Sequence, residues 1–332
     1  MDRSQLEALR HVGGLIAGAL RTSTLAAFVR LGVADALAAG GRTGDDLAEA
    51  TGTSPPDLLR LLRAAQTLGL VDAVGDGTFE LTVAGACLVT EAEPSLASLA
   101  VVTHELLAPL WRRIDHCVST GTDATEVVLG ASFYDHLAGQ PQLDDVWNRA
   151  MEQTAWAWLA AVPDATAWVA DHAEVVDVGG GTGAFARHLL RVRPDLHVTV
   201  VDLPHVVAAR PTGTDDRIAF VGADFRTAVP VSSPCYLFAR VLMNWPDADA
   251  RRVLRHCRER NPAAEVVVVD YVVPDGVTTH AATVADLDLM TMGGRARTAM
   301  EWDALLGEVG LRRTAVTYLL PGAWAVLRAL PA

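Results

Sequence analysis

Three aspartates close three apolar runs in the second half of the chain: Asp177 in "EVVDVGGGTGAF", Asp202 in "HVTVVDL" and Asp224 in "RIAFVGAD". Gly179, Gly180 and Gly181 follow the first acid and lead without a break into "AFARHLL". Glycines are needed where a backbone turns sharply and approaches a ligand that any Cβ would strike. The amides opening the helix behind them face an anion or carboxylate. Asp177 is placed to meet an ammonium, Asp202 to hold ribose hydroxyls, and Asp224 with Phe225 to bond an adenine amine and pack on its ring. A fourth run, "CYLFARVLMNWPDADA", ends in a crest of another kind. Between Arg240 and Asp247 it offers Met243-Asn244-Trp245 and no acid, histidine, lysine or thiol.

Two cofactors suit the glycine loop. Gly179-x-Gly181-x-x-Ala184, with Asp202 about 20 residues on, formally matches the dinucleotide fingerprint. S-adenosyl-L-methionine fits better. Asp177 stands directly ahead of the glycines, no second pyrophosphate-binding half follows, and the chain closes in an antiparallel hairpin.

These acids need a sheet to position them. From residue 173 onward strands and helices alternate, which predicts a doubly wound, Rossmann-like parallel α/β sheet over 163–332. "RRTAVTYLL", the turn Pro321-Gly322 and "AWAVLRAL" add a C-terminal antiparallel hairpin. Residues 1–37 read as helices, since Leu6, Leu9, Leu15, Ile16 and Leu20, then Leu25, Phe28, Val29, Val33 and Leu37, recur at helical spacing. Thr43 or Gly44 caps one short helix and Ser54 with Pro55 opens a second. "GLVDAV", Gly75-Asp76-Gly77 and "TFELT" form a hairpin. Residues 1–95 are therefore expected to be an α-helical winged-helix domain. Residues 96–162 form a helical linker carrying Trp111, Trp147, Trp156, Trp158 and Met151.

A winged helix raises the question of DNA. Residues 1–100 hold twelve acids against seven arginines, and the second helix offers phosphates only Arg60 and Arg63. Dimerisation and closure over a substrate suit the module better, and a ligand-sensing regulator is the reading left behind. The net charge of −13 argues equally against nucleic acid and anionic membranes. The four cysteines form no C-x-x-C pair, so neither zinc nor a disulfide framework is expected. No basic segment precedes an apolar run and no apolar stretch reaches 18 residues, so a cytoplasmic location is expected.

Taken together, "VVDVGGGTG", "VDLPHVV", "GADF", "RVLMNWPDADARRVLRHC" and "DLDLMTMGGRARTAMEWDALLGEVGL" resemble the class I S-adenosylmethionine-dependent O-methyltransferases of the plant caffeate and bacterial polyketide type. The resemblance implies a homodimer and a small aromatic acceptor bound between the helical segment and the sheet top. It also implies conversion of the cofactor to S-adenosyl-L-homocysteine. Gly179, Gly181, Leu203 and Ala239 would border the cofactor, with Trp245 near its adenine. Many members read His-Asp-Trp at the crest, where the histidine takes the acceptor's proton with help from a glutamate in Gly-Gly-x-Glu-Arg-Thr. Here Met243 and Ala296 stand at those places, so both are missing. "VLMNW" with "MGGRART" looks like the anthracycline-tailoring branch, thought to methylate by positioning. That branch includes members that keep the cofactor yet hydroxylate or decarboxylate, and other relatives of the fold are pericyclases. On this reading Asn244 and Arg295 would handle the acceptor oxygen, while Arg297, Met243, Met290, Met292, Met151 and Trp147 would line its pocket. His104, His136 and His280 are distant candidates for a base and read better as structural residues.

Overall fold

The computed structural model describes residues 2–159, 163–210, 213, 215–276, 281–319 and 324–332, with the backbone alone at 156–159, 163–165 and 281. The side chains of Trp156 and Trp158, together with His280 and the turn Pro321-Gly322, lie outside the described residues. Two compact units emerge: 1–109 with 149–154, and 110–148 with 155–332. These bounds differ from those expected, because the segment 96–162 is no unit of its own. Helix Ala97–Val102 places Ala100 in the first unit's core beside Phe28 and Leu62.

In the first unit, α1 (Arg3–Ile16) and α2 (Gly18–Arg30) lead into α3 (Val33–Leu37), β1 (Arg42–Thr43), α4 (Gly44–Thr51) and α5 (Pro55–Thr67). Thr43 caps α4 by accepting from the Asp46 amide at 3.2 Å. Ser54 opens α5 without a side-chain bond to the helix backbone, with Pro55 at its first turn. The hairpin β2 (Val71–Gly75) and β3 (Thr78–Leu81) pairs Val71 with Leu81, and β1 joins β3. Helix, turn, helix and wing are all present. α1 buries none of its residues within this chain. Leu15, Ile16 and Leu20 are 67%, 77% and 72% exposed.

The second unit is built on a sheet of β4 (Glu174–Val178), β5 (His197–Asp202), β6 (Ile218–Gly222), β7 (Cys235–Ala239), β8 (Glu265–Val273), β10 (Leu311–Tyr318) and β11 (Trp324–Pro331). Their order is β10-β11-β8-β7-β4-β5-β6, with β9 (Arg297–Thr298) paired to the end of β8. The strands from β8 to β6 run parallel, and β11 lies antiparallel between β8 and β10. Nearly continuous burial of the valines of β8 shows why the composition reads as it does. Val266 and Val268 face one core, Val267 and Val269 the other. A sheet covered on both faces has no polar side. The chain winds outward from β4 through β5 to β6 and then crosses to β7 on β4's other side. Ligands of open α/β sheets bind at such a reversal, outside the carboxyl ends of the strands.

Among the described residues no single helix is long and apolar enough to cross a membrane.

Candidate active site at the strand tips

Asp177 comes off the end of β4 fully buried, and neither of its carboxylate oxygens has a hydrogen-bond partner among the described residues. Burial, reinforced by the neighbouring charge of Asp202, pushes its carboxyl up to about 7. A buried acid with two orphaned oxygens is costly, and such groups call for an explanation. The glycine loop supplies one. A Cβ on Gly180 would lie 2.6 Å from Asp177 Oδ2, and one on Gly179 would lie 2.8 Å from Val241 Cγ2. Gly179 and Gly181 have φ of 74° and 61°, which side chains resist. The loop is thus bare backbone around an acid, a cradle suited to an ammonium group.

At the tip of β5, Asp202 accepts from the Gly181 and Leu203 amides, both at 2.7 Å. Surrounding protein raises its carboxyl despite these bonds. Beyond β6, Asp224 is gripped by Arg226, whose Nε donates to Oδ1 at 2.9 Å and Nη2 to Oδ2 at 2.8 Å. That fork holds the Asp224 carboxyl below the usual range. Phe225 is buried and meets Trp245 edge-on at 6.3 Å. Trp245 in turn carries the Arg226 guanidinium on one contact, 5.1 Å from its centroid, and stacks with Tyr134 at 5.2 Å. The three acids, the glycine loop and two aromatic side chains therefore lie together at the strand tips.

The crest is a single 3-10 turn, Leu242–Asn244, directly after β7 ends at Ala239. Met243 is 7% exposed. Its amide donates to Asp270 Oδ2 at 3.0 Å and its carbonyl accepts from the Arg295 amide at 2.8 Å. A Cβ on Gly294 would fall 2.3 Å from the Met243 oxygen, so the loop after residue 292 can lie on the crest only with glycine there. Asn244 Nδ2 donates to the Arg240 carbonyl at 2.9 Å.

Two sequence expectations need correction here. Arg297 does not stand at a pocket rim: it is 1% exposed and its guanidinium is spent on the fold. Nε donates to Asp247 Oδ1 at 2.9 Å, Nη1 to the Leu242 carbonyl at 2.9 Å, and Nη2 to the Trp245 carbonyl at 2.8 Å. Arg295 is also committed, pairing with Asp247 at 3.3 Å and with Glu301. Both guanidiniums pin the crest to the helix beginning at Asp247 rather than reaching for an acceptor. Of the pocket methionines, Met292 packs with Met243, Leu289, Ala296, Tyr271 and Trp324, a cluster that does not include Met290. Trp147 packs edge-on against Phe133 at 4.9 Å. Met151 belongs to the first unit.

Sequence reasoning missed three side chains. Asp270, inside "EVVVVDYVV", is fully buried under the crest, and its Oδ1 has no hydrogen-bond partner among the described residues. Burial pushes its carboxyl up to about 8, against the pull of Arg297 and the crest amides. An acid set directly after four valines was the available signal. Tyr134 sits in a short helix with no motif to mark it. Arg240 has φ of 62°, one of two non-glycine residues among those described with a positive φ, and nothing in the sequence announces that.

Comparison with known proteins agrees with this geometry. An O-methyltransferase domain matches residues 111–312, and an O-methyltransferase dimerisation domain matches residues 14–91. Phenazine O-methyltransferase PhzM of Lysobacter antibioticus is 30% identical over 89% of both chains. The crystal structure of LaPhzM superimposes with a TM-score of 0.91 over 98% of this chain and 99% of that one, at 28% identity. The O-methyltransferase NcsB1 of neocarzinostatin biosynthesis, solved with S-adenosyl-L-homocysteine and 1,4-dihydroxy-2-naphthoic acid, gives 0.77 at 28% identity over 94% and 96% of the two chains. The orphaned Asp177 in its glycine cradle suits the ammonium of S-adenosyl-L-methionine. The chain belongs to the class I S-adenosylmethionine-dependent O-methyltransferase family.

Proposed function

We propose that the chain methylates a phenolic hydroxyl of a polyketide-like aromatic metabolite, by positioning and without a histidine base. The observation that carries this reading is the crest, where a buried methionine occupies the family's proton-accepting position. His104 meets Ser23 in the first unit, and His136 lies on the helix Phe133–Ala138. S-adenosyl-L-methionine, held at these strand tips, would supply an activated methyl group for transfer to the acceptor oxygen.

The protein's part is placement. Asp177 holds the ammonium end, Asp202 takes the ribose hydroxyls, and Gly179, Gly181, Leu203 and Ala239 border the cofactor. Asp224, already forked by Arg226, keeps lone pairs for an adenine amine, with Phe225 and Trp245 packing on the ring. Met243 shapes the acceptor side and Asn244 fixes the turn that carries it. Alignment of this kind supplies much of a transfer barrier. Relatives that include a phenazine and a naphthoate O-methyltransferase support an aromatic acceptor. The bare apolar surface of α1 and α2 supports a homodimer.

The test incubates purified protein with methyl-labelled cofactor and a panel of polyphenols and hydroxyanthraquinones. Label in an aryl methyl ether is the expected result. Tight cofactor binding with no label in any acceptor would favour a relative that hydroxylates, decarboxylates or catalyses a pericyclic step.

A further inference from the structure

Phe133 meets Trp147 edge-on at 4.9 Å, which joins the helix Phe133–Ala138 to the first turns of the helix Pro141–Leu159. Two further contacts fix this pair of helices against the strand tips. Tyr134 stacks on Trp245 at 5.2 Å, with 27° between the rings, and Trp245 packs on Phe225. Asp144 Oδ2 accepts from Asn148 Nδ2 at 3.1 Å and lies 3.6 Å from His205 Nε2. His205 follows the tip of β5 in the helix Pro204–Ala208. One contact therefore stands beside the aromatic rings past β6 and β7, the other beside Asp202.

Between them is the Tyr134 hydroxyl. The charges acting on this phenol are, strongest first, those of Asp202, Arg240, Arg226 and Asp270. Burial, and then the negative charge of Asp202, raises it above the ordinary tyrosine value, so at neutral pH it keeps its proton and is a donor. Among the described residues no hydrogen bond engages it. Asp202 shows what such a donor is for. Each of its oxygens accepts one backbone amide, from Gly181 or Leu203, and keeps a lone pair for a ribose hydroxyl. A hydroxyl that donates to Asp202 has its own oxygen left to satisfy, and a buried polar oxygen needs a partner. An O–H on the side facing the acid supplies one.

Resting on the reading above in which Asp202 takes the ribose hydroxyls, we propose that Tyr134 completes the ribose subsite from the helix side. Its phenol donates to a ribose hydroxyl, and that hydroxyl donates to Asp202. The ring, stacked on Trp245, extends the aromatic wall that packs beside the adenine. Residues 133–148 thus belong to the cofactor site, although they precede the strand–helix alternation that carries the acids and the glycine loop. The contact between Asp144 and His205 holds the neighbouring helix at the tip of β5, and Phe133 on Trp147 passes that constraint to the turn bearing Tyr134.

The test uses the full chain and calorimetry with S-adenosyl-L-homocysteine and its 2′-deoxy and 3′-deoxy analogues. Tyr134→Phe keeps the ring and its stack on Trp245 and removes only the donor. It should weaken S-adenosyl-L-homocysteine about three- to tenfold, the scale of one neutral hydrogen bond. For one of the two analogues, the one lacking the hydroxyl that Tyr134 reaches, the same substitution should change affinity less than about twofold. An equal loss for all three ligands, or no loss for S-adenosyl-L-homocysteine, overturns the inference. A variant that melts early yet keeps the ligand-specific pattern still supports it, since a general defect would weaken all three alike. Asp202→Asn, run alongside, separates this inference from the reading beneath it. If Asp202→Asn weakens S-adenosyl-L-homocysteine and Tyr134→Phe does not, the ribose acid stands and the role of Tyr134 falls. If the deoxy pattern follows Tyr134 while Asp202→Asn costs nothing, the reverse holds.

Discussion

Asn244 reaches back over the crest to the carbonyl of Arg240, its Nδ2 2.9 Å from the oxygen. The amide therefore stabilises a left-handed residue from the outside. Asn244→Ala and Asn244→Asp both lose the donor, and each should cost about 1 kcal/mol of stability, the net worth of one hydrogen bond. Turnover should fall further than stability, because the turn carrying Met243 loosens. Urea denaturation and steady-state rates measure the two effects. Equal, small losses in both would leave Asn244 without its bracing role.

Asp177 gives a pH signature. Its folded carboxyl titrates at about 7, above the roughly 3.9 of an unfolded aspartate. Between those values the native state holds a proton the unfolded chain has lost, so the cofactor-free protein should lose stability as pH rises from about 4 to 7. Asp270, with a carboxyl near 8, adds loss in the same direction. Asp177→Asn should flatten part of this slope, stabilise the cofactor-free protein at pH 8, and weaken S-adenosyl-L-methionine binding by about 1.5–3 kcal/mol. Thermal melts across pH, with calorimetry, check all three.

Arg297 and Arg295 should separate sharply. Removing the buried Arg297 orphans the Leu242 and Trp245 carbonyls and leaves Asp247 one partner short. Breaking a buried pair typically costs 3–5 kcal/mol; with Asp247 partly exposed, about 3 kcal/mol is expected for Arg297→Met. Arg295→Met, near the surface, should cost less than about 1 kcal/mol. Matching losses in denaturant would sink the clamp.

The first helices should form an obligate dimer. Ile16→Asp with Leu20→Asp charges the most exposed large apolar positions of α1 and α2, and sedimentation should then show a monomer where the wild-type chain is dimeric at micromolar concentration. An interface of this class buries more than about 2,000 Å². A wild-type monomer with this unit folded would remove the basis for a dimer.

Met243→Leu should keep most activity, whereas Met243→Ala should lower the rate by loosening the acceptor. The rate's pH dependence should follow each acceptor's own ionisation. A limb near pH 6–7 that ignores the acceptor, the range of roughly an ordinary histidine, would point to a hidden base.

Much of this was legible in the sequence for a physical reason. Strand-end acids and glycines are local demands: Asp177 and Gly179–Gly181 can serve their purpose only at that spacing. Arg295 and Arg297 misled because a glycine pair beside arginines looks like a flexible rim. Their carboxylate partner, Asp247, lies about fifty positions away in sequence and is supplied by packing. Asp270 was hidden in a strand whose other residues are explained by burial. Arg240 was hidden by its ordinary setting, since φ leaves no mark on a residue type. The domain boundary moved because Ala97–Val102 follows its core contacts, which pattern alone does not assign.

The hydrogen bonds that hold Met243 run through its peptide alone, the amide on Asp270 and the carbonyl under Arg295, while its side chain packs in the apolar cluster of Leu289 and Ala296. What these hydrogen bonds fix there is an address, open to an occupant that fits the same packing. A lineage can retire a proton acceptor at this position, or reinstate one, by changing a single codon while every neighbouring bond persists. The chemistry of the family is in this sense carried on a replaceable tip, and Met243→His should restore an imidazole without rebuilding its support.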